Sequence, residues 1–288
     1  MTDPASDPAA WIGRQQWHHD RIDANRARAM QATLDRAPSL LPGDPLPPAW
    51  HWLYFWEVQP MGVLGPDGHP ARGGFLPPIA LPRRMWAGGR IRFERPLAVG
   101  ADARKTSTIA DVTEKQGRSG RLAFVTVRHE IADADGPCLV EEQDIVYREA
   151  PGAAGAARPA EPAPAPAAQE ADWSRAVACD PVLLFRYSAL TFNGHRIHYD
   201  ADYARQEEGH AGLVVHGPLL ATLLLDLWTR EAGRAVPAHF SYRAVSAGYV
   251  PETLTVAGTA DGDGGRLWVA GDDGRLCMTG EVSAAARV

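Results

Sequence analysis

From Glu149 to Asp172 the chain reads EAPGAAGAARPAEPAPAPAAQEAD, without one aromatic or large aliphatic residue. Such a stretch cannot bury enough apolar surface to offset the entropy of ordering it. Its prolines favour an extended, semi-stiff spacer. Whatever core the 288 residues build must therefore come from two blocks of similar length. The expected organisation is an N-terminal helical segment over 1–40, a first folded unit over 41–149, a linker over 150–172 and a second unit over 173–288. Within the first segment, residues 9–36 read as an arginine-rich amphipathic helix ending before Pro38. Trp11, Trp17 and the His18-His19 pair fall on its covered face.

The two blocks share a grammar. In the first, Gly73-Gly-Phe-Leu-Pro-Pro-Ile-Ala-Leu-Pro-Arg-Arg-Met-Trp86 leads into Ile91-Arg-Phe-Glu-Arg-Pro-Leu-Ala-Val-Gly100. In the second, His216-Gly-Pro-Leu-Leu-Ala-Thr-Leu-Leu-Leu-Asp-Leu-Trp228 leads into Phe240-Ser-Tyr-Arg-Ala-Val-Ser-Ala-Gly248. Each is an apolar segment entered through Gly and Pro, followed by a strand carrying Arg and, further on, Gly (Arg95 and Gly100, Arg243 and Gly248), which supports a duplicated domain. Alternating runs then predict antiparallel strands over Lys105–Val112, Leu122–Ile131 and Leu139–Arg148. The second block offers Leu254–Ala260, Arg266–Ala270 and Leu276–Val282, joined by Gly-Asp-Gly-Gly and Asp-Asp-Gly turns. The run Trp50-His-Trp-Leu-Tyr-Phe-Trp56 reads as an aromatic core cluster in preference to a ligand cage.

Composition excludes several function classes. Hydrophobic content of 45% with 22% charged residues is that of a globular protein. A net charge of -6 argues against a general nucleic-acid binder, although a local arginine cluster can still hold an anionic small ligand. Cys138, Cys179 and Cys277 are too few and too scattered for a disulfide framework or a zinc site, and read as small buried apolar residues. The N-terminus lacks the basic and apolar regions of a signal peptide, and no window approaches the roughly 20 apolar residues of a membrane span. A cytoplasmic protein is expected.

The chemistry concentrates in Tyr187-Ser-Ala-Leu-Thr-Phe-Asn-Gly-His-Arg-Ile-His-Tyr-Asp200 and in Val215-His-Gly-Pro-Leu-Leu-Ala-Thr-Leu-Leu-Leu-Asp226. The first reads as a strand-like apolar run ending in a knot of Asn193, His195 and His198. The second opens an apolar helix at Gly217-Pro218. Together they resemble the active-site segment of the MaoC-like, hotdog-fold thioester hydratases. The form Thr-Phe-Asn-x-His-Arg-Ile-His-Tyr-Asp is similar to the double-hotdog mesaconyl-C4-CoA and itaconyl-CoA hydratases and to the related 3-hydroxyacyl-thioester dehydratases. Trp11-Ile-Gly-Arg14, Ala32-Thr-Leu-Asp35 and Gly74-Phe-Leu-Pro-Pro78 resemble that branch too.

The resemblance implies an α+β double hotdog, in which each unit wraps a curved antiparallel sheet around a long helix, and a C-terminal catalytic unit. It implies reversible hydration of an enoyl-CoA thioester, from mesaconyl-C4-CoA or itaconyl-CoA to citramalyl-CoA. His198 would be the base toward water. Asn193, standing where the family usually has aspartate, would hold that water without titrating. The N–H of Gly217, beside His216 at the start of a helix, would stabilise the enolate oxygen. His195 either assists the proton transfer or fixes the loop. Arg196 and Arg186 would meet a distal carboxylate, CoA phosphates or only solvent, and Asp200 caps the following segment. No metal is expected, since His195 and His198 lack a third ligand in a recognised zinc arrangement. No cofactor is expected either, CoA being part of the substrate. The partner is an acyl-CoA thioester, with no nucleic acid and no membrane; monomer and homodimer both stay open. Alternatives are a fatty-acid-type 3-hydroxyacyl-thioester dehydratase, a hotdog thioesterase, or an acyl-CoA-binding protein without turnover. The thioesterase is disfavoured because the first carboxylate on the apolar helix is Asp226.

Overall fold

The computed structural model describes residues 7–71, 73–117, 120–149, 171–234 and 236–284. Most of the expected linker, residues 150–170, lies outside them. In the first block β1 (Gln15–Arg21) leads into α1 (Ala24–Thr33), and a long excursion ends at β2 (Arg83–Phe93). A meander follows: β3 (Asp102–Gly117), β4 (Gly120–Asp133) and β5 (Gly136–Arg148). The second block repeats the order with β6 (Trp173–Cys179), α2 (Pro181–Thr191), α3 (Ala201–Gln206), β7 (Leu213–Val214) and α4 (Gly217–Asp226). Its remaining strands are β8 (His239–Ala244), β9 (Tyr249–Val250), β10 (Glu252–Asp261), β11 (Gly264–Ala270) and β12 (Leu276–Ser283).

One ten-stranded antiparallel sheet contains both blocks, in the order β1-β3-β4-β5-β2-β8-β12-β11-β10-β6. Read inward from either edge, the order is the same: a first strand, a three-stranded meander, then the strand that precedes the meander in sequence. The halves meet at β2 and β8, paired from Gly88↔Arg243 to Arg92↔His239. The duplication expected from the sequence is thus a duplication of topology, and the six predicted meander strands are all present.

The helical content is unequal. In α4, Leu and Ala are strong helix formers, Pro218 sits in the first turn where its missing N–H is not needed, and every residue from Leu219 to Asp226 is buried. A helix covered all round is a core helix, and each buried leucine contributes roughly 1.5–3 kcal/mol. It runs on into a π-helical turn over Leu227–Glu231. The first half has no such helix among the described residues; it offers α1 and short 3-10 turns such as Trp50–Leu53 in its place. Pro77, Pro78 and Pro82 explain why Gly73–Trp86 does not mirror α4. Each removes an amide donor, so the segment stays irregular until β2 begins.

Two local expectations are corrected. Residues 9–36 are not one helix: Gln15–Arg21 is an edge strand with alternate side chains covered, and Asp23 caps α1 by accepting from the Asn25 N–H at 2.6 Å. Trp17 is 60% exposed, so it does not belong to a buried helix face. The run before Asn193 is helix, not strand, because Asp180 caps it, accepting from the Leu183 N–H at 2.7 Å, and Pro181 occupies the first turn.

Where the first half lacks a core helix, its interior is partly polar. Trp50, Leu53, Tyr54 and Phe55 are buried in the main apolar cluster, as an aromatic core requires. Between them His51 Nε2 lies 2.9 Å and Trp52 Nε1 3.0 Å from the carboxylate of Glu141, and the Tyr242 hydroxyl donates to it at 3.4 Å. Burial opposes ionisation of Glu141, but the hydrogen bonds from His51 and Trp52, with the charges of His51 and His129, overcome it and hold the carboxyl at about 2. Glu141→Ala leaves three buried donors without an acceptor and is expected to cost about 3–5 kcal/mol, read from denaturant unfolding at fixed pH. A loss under about 1 kcal/mol would show that the cluster holds without its anion.

Candidate active site

Helix α2 ends at Phe192, which adopts a left-handed conformation (φ 53°) and turns the chain sharply. The Asn193 N–H donates to the Ser188 carbonyl at 2.9 Å, and Asn193 Oδ1 accepts from the His195 N–H at 3.0 Å. With its oxygen taken, the half-buried Asn193 side chain keeps its NH2 as donor. A 3-10 turn over Arg196–His198 then swings the His198 ring inward, where the residue is 7% exposed.

The His198 ring is held from two sides. Its Nδ1 lies 2.7 Å from the Val214 carbonyl, an acceptor only, so Nδ1 carries the proton and Nε2 keeps its lone pair. Its face stacks on His216 with centroids 3.6 Å apart at 18°. His216, fully buried, is fixed in turn by Ser188 Oγ at 2.8 Å from Nε2. Burial and the neighbouring His216 push the His198 pKa well below 6.5, against the pull of the Val214 carbonyl. Burial and His195 push His216 to about 3. Both rings are neutral at physiological pH.

His216 immediately precedes α4, so the Gly217 N–H sits in the first turn, where no carbonyl four residues back exists to receive it. The glycine is required sterically: a Cβ there would lie 2.6 Å from Cε3 of Trp86. The space that Gly217 provides is thus filled by the indole of β2, from the other half of the molecule.

A second contribution from the first half is the turn at Gly65–Pro70. Gly68 (φ +87°) brings its backbone so close to the Gly194 carbonyl that a Cβ would clash. The Arg196 N–H donates to the Asp67 carbonyl at 2.9 Å, and Arg196 Nη1 to the Pro66 carbonyl at 3.0 Å. The turn places the His69 ring 4.4 Å from His195, whose ring in turn meets His198 edge-on at 5.6 Å. His69 Nδ1 donates to Asp67 Oδ2 at 3.2 Å. Burial drives His69 to about 4 in spite of that partner. Burial opposes the charge on Asp67, but the hydrogen bonds from the His69 side chain and backbone prevail and keep it ionised. On the far side of His195, Glu208 Oε1 stands 3.9 Å from its Nε2 and Oε2 lies 3.6 Å from Arg83 Nε.

His195, His198, His216 and Gly217 therefore converge, with Asn193 at the mouth of the same loop. The two arginines that flank the motif have different surroundings. Arg196 is engaged by Asp200 at 2.7 Å and by Pro66, and lies over the Tyr203 ring, so it clamps the turn at 66–67 and is not available to a substrate anion. Arg186 is exposed on α2. Asp200 does cap α3, accepting from the Tyr203 N–H at 3.0 Å. Sequence reading missed Ser188, Trp86, Glu208, Asp67 and His69. The last two sit in Pro-Asp-Gly-His-Pro, which signals only a turn. Asp67, His69 and His195 also bring one ligand atom each within 4.8 Å of one another, a grouping that could hold a cation, although Asp67 and His69 are already hydrogen-bonded to each other.

Asp226, the first carboxylate of α4, is 5% exposed and clasped by Arg36 and Arg175. Ten helical residues at about 1.5 Å each put it roughly 15 Å along the axis from His216. A separate groove of about 310 Å³, lined by Arg90, Arg92, Arg128, His239 and Glu281 among others, opens over the β2–β8 seam, and none of the site histidines lines it.

A tandem pair of five-stranded units with one core helix, carrying stacked histidines at that helix's N-terminus, has the build of the double hotdog. The same fold appears in solved structures: a MaoC-like dehydratase from Phytophthora capsici (TM-score 0.72, 13% identity, 98% of each chain covered), and a Mycobacterium tuberculosis protein described as a double hotdog fold (TM-score 0.58, 16% identity, 94% of this chain and 95% of that one). Residues 49–250 match the family described as hydroxyacyl-thioester dehydratase type 2, and the chain belongs to that family. It is also 47% identical, over 96% of its length and 98% of the relative's, to the mesaconyl-C(4)-CoA hydratase of Chloroflexus aurantiacus.

The neutral histidines bear on stability. Burial holds His69, His129 and His210 at about 4 and His216 at about 3 in the folded chain, whereas unfolded imidazoles titrate near about 6.5. Between those values the unfolded chain binds more protons, so lowering the pH favours it. Denaturant midpoints measured from pH 8 downward are expected to stay level until about pH 6.5 and then fall steadily toward pH 4.

Proposed function

We propose that the protein is a hydro-lyase that reversibly hydrates an enoyl-CoA thioester, with mesaconyl-C4-CoA or itaconyl-CoA as substrate and citramalyl-CoA as product. The observation that carries this reading is the His198 tautomer. A buried imidazole whose Nδ1 is bound to a carbonyl presents Nε2 as a base. Water donates a proton to Nε2 while its oxygen accepts from the Asn193 NH2. The new C–O bond forms at the β-carbon, the alkene pair moves toward the thioester, and the oxyanion is received by the Gly217 N–H at the positive end of α4. The His198 proton then passes to the α-carbon. One histidine serves both transfers, which suits an asparagine at 193.

The relative that is 47% identical is a mesaconyl-C(4)-CoA hydratase, which favours that substrate over a fatty-acid type. Thioester hydrolysis is disfavoured because Asp226 is ion-paired at the far end of α4. The protein acts on an acyl-CoA, and among the described residues no helix is long and apolar enough to cross a membrane.

Purified protein mixed with mesaconyl-C4-CoA is expected to lose enoyl absorbance without releasing free thiol; thiol release without hydrated product would point to a thioesterase instead. His198→Ala should lower kcat by at least about a hundredfold, and a full-rate variant would end the mechanism. Since His198 must be neutral to act and stays so well below 6.5, kcat/KM should hold level down through pH 6.5, with its acid limb lower still. A limb at or above pH 6.5 would place the essential base elsewhere.

A further inference from the structure

The substrate proposed above carries a carboxylate on the carbon that water attacks, and a burial site for that charge must lie close to His198. Neither arginine flagged by the motif can supply it, since Arg196 is clamped to Asp200 and Pro66 and Arg186 faces solvent. Strand β2 presents another. Arg84 and Trp86 lie on one face of β2, in unbroken register with Tyr147 and Ile145 of β5; the bulge begins only after Trp86. Trp86 is the residue packed against Gly217, so the face that carries it looks onto the start of α4. Arg84 is therefore the next residue along the wall of the site, a same-face step of about 6.7 Å.

The substrate has that length. From thioester carbon to distal carboxyl carbon is three C–C bonds of about 1.5 Å, roughly 4 Å when extended, and a charge-assisted hydrogen bond adds about 2.8 Å. The surroundings place Arg84 in the same corner. Its charge is felt by both His69 and Asp67, and the His69 ring lies 4.4 Å from His195. Among the described residues Arg84 makes no ion pair within 4.0 Å, unlike its neighbour Arg83, which faces Glu208.

On the opposite face of β2, Arg83 stands directly across from Arg148 in the β2–β5 ladder, with Glu208 Oε2 3.6 Å from Arg83 Nε. Arg83 Nη2 and Arg148 Nε are buried without a hydrogen-bond partner. Burial and the neighbouring Arg148 already lower the pKa of Arg83, the response of a cation held near its like.

Building on the hydratase reading, we infer that Arg84 receives the distal carboxylate of a dicarboxylic CoA thioester with a four-carbon backbone and so selects such substrates over neutral enoyl-CoAs. The ion pair also holds the carboxylate's charge away from the incoming water.

The test compares wild type, Arg84→Met, Arg84→Lys and, as a surface control, Asp261→Asn. Substrates are mesaconyl-C4-CoA and crotonyl-CoA, which has no carboxylate. Arg84→Met should lower kcat/KM for mesaconyl-C4-CoA by about 10- to 100-fold while crotonyl-CoA changes by less than about threefold, with Arg84→Lys between. Calorimetric binding of succinyl-CoA and butyryl-CoA, isosteres that differ in the terminal carboxylate, should show the same loss of preference without turnover. Equal loss on both members of each pair, or an unchanged preference, overturns the assignment and leaves the hydratase reading intact. A wild type that hydrates neither thioester takes both readings down.

Discussion

The pairing of β2 with β8 is the contact on which the rest of this molecule depends. It turns two five-stranded units into one continuous sheet. Because β2 is also the strand that carries Trp86 and Arg84, the same ladder that joins the halves sets the first half's side chains against the start of α4. A hydrogen-bonded ladder fixes register to the residue, since a slip of one would send every side chain to the opposite face. The site is accurate to the extent that this seam is.

From that seam follows a division of labour. The second half provides the core helix and the histidines; the first half has given up its equivalent of α4 and uses the freed length of chain to reach across. The excursion between α1 and β2 delivers the Gly65–Pro70 turn onto the loop of Asn193 and His195, with Arg196 as its clasp. In exchange, the first half's interior is closed by polar groups around Glu141, whose burial is tolerable only because His51, Trp52 and Tyr242 all point at it. The half without the stacked histidine pair is therefore a wall and a strap of the candidate site.

The electrostatics of the histidine group follow from burial more than from any single partner. His198 and His216 stack without a carboxylate beside them, which keeps both neutral and makes the tautomer of His198 a consequence of one backbone carbonyl. Carboxylates are present one ring further out, on His69 and His195, where the arginines of β2 and β5 also gather. The arrangement grades from an uncharged pair of stacked rings to a surround of carboxylates and arginines.

Much of this was readable from the residues in order. The alternation within Lys105–Val112 or Leu276–Val282 can satisfy only a strand with one covered face, and the apolar run after Gly217-Pro218 only a buried helix. The Asn193–His198 spacing, set at the end of a capped segment, marks the chemistry locally. Short-range patterns mislead where two periods compete: Gln15–Arg21 alternates within an arginine-rich stretch that also suits a helix, and the apolar run before Asn193 suits either element until Asp180 and Pro181 are counted as a cap. No local pattern could reveal that Asp67, His69 and Trp86 meet Arg196, His195 and Gly217, more than a hundred positions later. That proximity exists only because β2 pairs with β8, and pairing between distant strands is decided by the packing of the whole chain.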